Sequence, residues 1–219
     1  MSIYDDIDNI RNNAAIQSFE LLCKNDAEPI PIDFISVGIT LHSIIGTKNP
    51  NQILSILKNL TLPEDYSLDY SHYISESFGQ YDVVVKDSVG NVDKNVFNYI
   101  NVERSKMGIW QAYLLYTLWH TLPLNDHSNY SHRKFIFSSK DIESLYLQED
   151  DIKKKCFKSD IGIYVVGLRE YYYISCCYWC RYSGLNRIIC ELQLRDNKII
   201  NINEVYRINL VKYGHDIRL

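Results

Sequence analysis

The sequence predicts an α+β fold, in which a mainly helical N-terminal half (residues 1–150) packs against a C-terminal antiparallel β-meander of four to five strands (residues 161–219). The last sixty residues hold at least four short runs rich in Ile, Val, Tyr and Cys, separated by turn residues. Within them Ile188, Cys190, Leu192 and Leu194 alternate with Ile189, Glu191, Gln193 and Arg195, the period of a strand with one face in a core. The earlier part instead carries apolar residues at helical spacing behind residues suited to capping. A chain of 219 residues without a Pro/Gly/Ser-rich linker is expected to form a single domain, 1–219.

Taken in order, Tyr4 to Cys23 places Ile7, Ile10, Ala14 and Leu21 near helical spacing, with Asp5, Asp6 and Asp8 at the end where the helix dipole favours negative charge. Pro29-Ile30-Pro31 enforces an extended entry to a second helix, capped by Asp33, stapled by Ile32 and Val37, running to Ile45 and stopped by Gly46. Asn49-Pro50-Asn51-Gln52 carries the signature of a capping box, and Ile53, Leu54, Ile56, Leu57 and Leu60 supply the buried face of the helix behind it. From Leu62 to Asn91 the pattern loosens to one short strand, Tyr81 to Val85, and a turn around Gly90; Asp93 is then expected to cap a short helix to Ile100.

Ser105 begins a helix whose Ile109, Trp110, Tyr113, Leu114, Leu115, Tyr116, Leu118 and Trp119 are apolar on nearly every side, the composition of a helix buried at the centre of a fold. Pro123 and a polar loop from Asn125 to Ser131 follow it. Phe135 to Phe137 leads to a helix capped by Ser138 or Ser139 and running to Gln148, and Glu149 to Lys158 reads as a charged connector. The remainder reads as strands at Ile161–Leu168, Tyr171–Tyr182, Arg187–Arg195, Ile199–Ile202 and Tyr206–Val211, with Asp196-Asn197 as a two-residue hairpin turn.

A net charge of -4 with 46% hydrophobic and 23% charged residues belongs to the ordinary globular class and excludes a disordered chain. The charge is uneven. From Asp151 onward twelve Lys and Arg face seven Asp and Glu, a local charge of +5 that leaves -9 for the residues before it. Complementary charge between the two parts explains this better than an anionic partner, because the basic residues are dispersed and no nucleic-acid motif accompanies them.

The acidic start lacks the features of a secretory signal, and Ile109 to Trp119 is too short for the roughly 20 residues of a membrane span. Six cysteines are therefore expected as reduced thiols in a cytoplasmic protein. Cys177-Tyr178-Trp179-Cys180 has the spacing of a zinc knuckle, but in a strand residues three apart point to opposite faces, whereas Cys176 and Cys180 share one. Neither metal nor any other cofactor is expected. Phosphate loops, dinucleotide fingerprints and nucleophile elbows are absent from the sequence.

Two functional readings follow. The first is a non-catalytic protein–protein interaction module, of the inhibitor or immunity type, offering a tyrosine-rich and partly basic sheet surface; eighteen tyrosines, clustered at Tyr171–Tyr173, Tyr178 and Tyr182, supply amphipathic contact area. Its partner would be another protein, with nucleic acid and membrane disfavoured. The second is a hydrolase-like enzyme that gathers His120, Asp126, His127 and His132, metal-assisted or not, on the loop after the central helix. Trp119 and Tyr130 beside these residues suit a partner-binding loop equally well.

Overall fold

The computed structural model describes residues 50–74, 79–119, 133–145, 147, 149–180 and 183–213. Its strands are β1 (Leu60–Thr61), β2 (Tyr66–Ile74), β3 (Gly79–Asp87), β4 (Val92–Asp93), β5 (Asn101–Val102), β6 (Arg133–Ile136), β7 (Tyr164–Leu168), β8 (Tyr171–Cys180), β9 (Gly184–Arg195) and β10 (Lys198–Lys212). The helices are α1 (Asn51–Ile56), α2 (Lys106–Trp119), α3 (Ser139–Glu143) and α4 (Asp150–Lys158), with one 3-10 turn at Val96–Asn98. Strand outweighs helix among these residues, so the expected α+β fold with a mainly helical N-terminal half is corrected to a mostly β one carrying short helices. The helices expected at Tyr4–Cys23 and Asp33–Ile45 lie outside the described residues.

The correction has local causes. The stretch read as loose is a nine-residue antiparallel hairpin, β2 with β3, in which Leu68 lies opposite Val85 and both are buried. Tyr66, Leu68 and Tyr70 do alternate with Ser67, Asp69 and Ser71, but serine and aspartate are poor strand formers and mask the period. Asp93 does not start a helix. Its carboxylate accepts the Asn95 amide at 2.8 Å and the Tyr99 hydroxyl at 2.9 Å, closing an Asx turn instead. The cap expected at Asn49 lies outside the described residues, and Asn51, the first residue of α1, acts as a strand partner, its carboxamide donating to the Leu68 carbonyl (2.7 Å) and accepting from the Leu68 amide (2.8 Å).

α2 is the central helix that its composition predicts. Ser105 Oγ accepts the Gly108 amide at its start, and Ile109 through Leu115 are all buried. Such a helix has no solvent face to keep polar, and Gln111 spends its carboxamide oxygen on the Asn59 amide at 2.9 Å.

The C-terminal sheet has the order β10-β9-β8, with β6 and β7 end to end along the far edge of β8. Asp196 and Asn197 adopt φ of 49° and 62°, the left-handed pair that a tight hairpin demands. The two strands expected at Ile199–Ile202 and Tyr206–Val211 are one strand, β10. Its pairing with β9 skips Ile200, Val205 and Leu210, three bulges five residues apart, so the break in alternation marks an extra residue and not an end. The expected connector Glu149–Lys158 is α4, whose first turn holds Asp150 and Asp151, whose last turn holds Lys155 and Lys158, and whose Ile152 and Cys156 face inward.

The inner face of the sheet presents Ile174, Cys176, Tyr178, Ile188, Cys190, Leu192 and Leu194 to one core shared with α1, α2 and the β2–β3 hairpin. The outer face presents Cys177, Trp179, Leu185 and Val211 to a second, smaller core under α3 and α4. Cys177 and Cys180 thus belong to opposite faces and Cys176 and Cys180 to the same one, as strand geometry requires.

Candidate functional site

Trp119 closes α2, while His120, Asp126, His127, Tyr130 and His132 lie outside the described residues. Among the described residues no group of three or more His, Cys, Asp or Glu is placed to hold a metal ion. Cys156, Cys176, Cys177, Cys180 and Cys190 are in no disulfide. Burial pushes the Cys177 thiol up to about 11 and raises Cys156 and Cys176, so these three are protonated and poor nucleophiles at neutral pH.

The surface with the most unspent binding capacity is the other half of the outer sheet face. Cross-strand register arranges it in three rows, because residues directly opposite share a face. Tyr164, Ser175, Ile189 and Tyr206 form the first; Val166, Tyr173, Glu191 and Asn203 the second; Leu168, Tyr171, Gln193 and Asn201 the third. α3 and α4 cover the Cys177–Trp179 half and Ser175 and Ile189 of the first row are buried, whereas further along Tyr171 is 40% exposed, Asn201 and Asn203 are exposed, and Tyr173, Glu191, Gln193 and Tyr206 are half-buried.

An arginine clamp marks the boundary between the two halves. Arg187 donates to Ser175 Oγ at 2.9 Å, pairs with the Asp160 carboxylate at 3.2 Å and lies 5.5 Å from the Tyr164 ring centre. Tyr164 in turn donates its hydroxyl to Asp160 at 3.0 Å. This ties the chain leaving α4 to the middle of the sheet and spends the charge of Arg187 inside the protein.

Several of the other basic residues that suggested a positive sheet are placed elsewhere, while Arg169 stands in the β7–β8 turn and Arg181 and Arg218 lie outside the described residues. Four lysines sit on α4, Lys198 donates to the Tyr99 carbonyl, and Arg207 pairs with Glu204 and lies over the Tyr178 ring on the inner-face side. The open face is therefore aromatic and polar, with Arg195 at its hairpin end. Tyr178 and Trp179, the aromatic pair most prominent in the sequence, are buried in the two cores.

At the centre of the face Tyr173 donates its hydroxyl to Glu191 at 2.8 Å. Burial first, and the carboxylate second, push its phenol from 10.0 to about 12. Because the folded-state value is raised, the stability linked to it is complete below pH 10 and is lost as pH rises from 10 through 12. Ultraviolet titration should show one tyrosine fewer ionising near pH 12 in Tyr173→Phe, and Glu191→Gln should move that midpoint down part of the way towards 10. An unchanged midpoint would remove Glu191 as a cause.

Sequence reading missed this site, although it noted the Tyr171–Tyr173 cluster. Period-two alternation puts Tyr171 and Tyr173 on the same face as Trp179, and only the position of α3 and α4 separates the covered end from the open one. No family model, curated protein or solved structure matches the chain.

Proposed function

We propose that this chain is a non-catalytic, cytoplasmic interaction module of the inhibitor or immunity type, binding another protein through the open tyrosine face of its C-terminal sheet. The observation that supports this is the unspent polarity of one rigid surface: among the described residues the side chains of Tyr171, Gln193, Asn201, Asn203 and Tyr206 make no hydrogen bond or ion pair. Strand pairing holds them in place, and tyrosine brings large amphipathic area at a small cost in rotamer entropy, the properties of an interface anchor. Buried cysteines in no disulfide fit a reducing compartment, and among the described residues no helix is long and apolar enough to cross a membrane.

The test is capture of the partner on the tagged protein, followed by affinity measurement with Tyr171→Ala and Tyr206→Ala. Each should weaken binding by about tenfold or more, about 1.4 kcal/mol, with the urea midpoint nearly unchanged. Tyr178→Ala and Trp179→Ala, by contrast, should chiefly unfold the chain. If the Tyr171 and Tyr206 variants bind as tightly as the parent, this face is not the interface.

A further inference from the structure

We infer that Glu191, at the centre of the open face, receives a cationic side chain from the protein partner, an arginine in preference to a lysine; this rests on the reading of that face as the interaction surface. Glu191 lies between Tyr173 on β8 and Asn203 on β10, with Ile189 and Gln193 before and after it on the same face. One carboxylate oxygen accepts the Tyr173 hydroxyl, and among the described residues Glu191 makes no ion pair and no other side-chain hydrogen bond. A half-buried carboxylate held by a single neutral donor is short of compensation, since it has lost part of its hydration and gained only one bond.

The cations on the same strand face cannot supply the rest. Arg187 and Arg195 stand four residues away in either direction along β9, on the order of 13 Å at about 3.3 Å per residue, and Arg187 is committed to Asp160. The remaining surroundings favour a positive guest. The ring faces of Tyr171 and Tyr173 carry negative π density, and the carboxamide oxygens of Gln193 and Asn203 are free to accept. A guanidinium matches this set better than an ammonium does, because its planar fork of five donors can bridge a carboxylate and an amide oxygen while stacking on a ring. An anionic side chain delivered to the same place would meet the like charge of Glu191.

The test is selection of a random peptide library displayed on phage against the immobilised full-length chain, with Glu191→Gln and Tyr171→Ala as comparisons. Selected peptides should share an arginine or lysine. Affinity of a synthetic selected peptide should fall about tenfold in Glu191→Gln, and replacing its basic residue by glutamine should cost much less in that variant than in the parent, the non-additivity of a direct pair. Peptides without a shared basic residue, an affinity indifferent to Glu191→Gln, or no selected binder at all would overturn the cation site. If those peptides still weaken with Tyr171→Ala, the face remains an interface; if they are indifferent to both substitutions, the face reading fails as well. Retention of the β8–β9 pairing in Glu191→Gln is checked by its unchanged urea midpoint.

Discussion

Gly184→Ala is expected to destabilise the protein by about 2–5 kcal/mol, with a matching drop in the urea midpoint. Gly184 opens β9 at a φ of 90°, opposite Cys180 on one side and Lys212 on the other. That backbone conformation costs an L-residue roughly 1–2 kcal/mol. A methyl group there would also fall on the Val211 carbonyl oxygen and lie 2.7 Å from the Tyr213 amide nitrogen, backbone atoms that cannot rotate away. Forcing them apart is an overpacking cost of about 1–3 kcal/mol, at the place where β10 closes onto β9. Gly90→Ala is the internal control, because Gly90 has a similar φ of 99° and nothing within 4 Å of the added methyl. It should show the conformational cost alone, and equal midpoint shifts for the two variants would refute the steric account.

Trp110→Ala should cost about 3–5 kcal/mol, a large share of the 5–15 kcal/mol that a domain commonly has. Trp110 is fully buried in α2, stacked on Tyr113 at 5.6 Å and edge-on to Phe137 at 6.0 Å, so truncation opens a cavity in the middle of the larger core. Among the described residues its indole nitrogen has no hydrogen-bond partner. Trp110→Phe should therefore cost clearly less than half as much, since it keeps most of the ring area and removes a buried donor whose unmade bond costs about 1–3 kcal/mol. Thermal unfolding of the two variants side by side measures this. If phenylalanine is as damaging as alanine, the indole donor has a partner in solution.

Three elements show how far local pattern reached. α2 was legible because apolar residues on every side of a fourteen-residue helix leave no arrangement except burial. The β7–β10 meander was legible because β-branched and aromatic runs, turn residues and alternation agree with one another there. α4 was not, since two aspartates and four lysines around Ile152 and Cys156 give a mean too polar to suggest packing, and only the docking of two side chains onto Leu145, Cys177 and Trp179 makes it part of a core.

By itself, then, the sequence determined the central helix, the antiparallel sheet, its Asp196-Asn197 turn and which cysteines share a face, because each depends on backbone geometry within one element or one hairpin. The tertiary structure alone decided that Tyr66–Ile74 pairs with Gly79–Asp87, that β10 runs unbroken through three bulges, and that α3 and α4 cover Trp179 but leave Tyr171, Tyr173 and Glu191 open. Alternation assigns a residue to a face; what lies over that face depends on contacts between segments distant in sequence, and no local period encodes them.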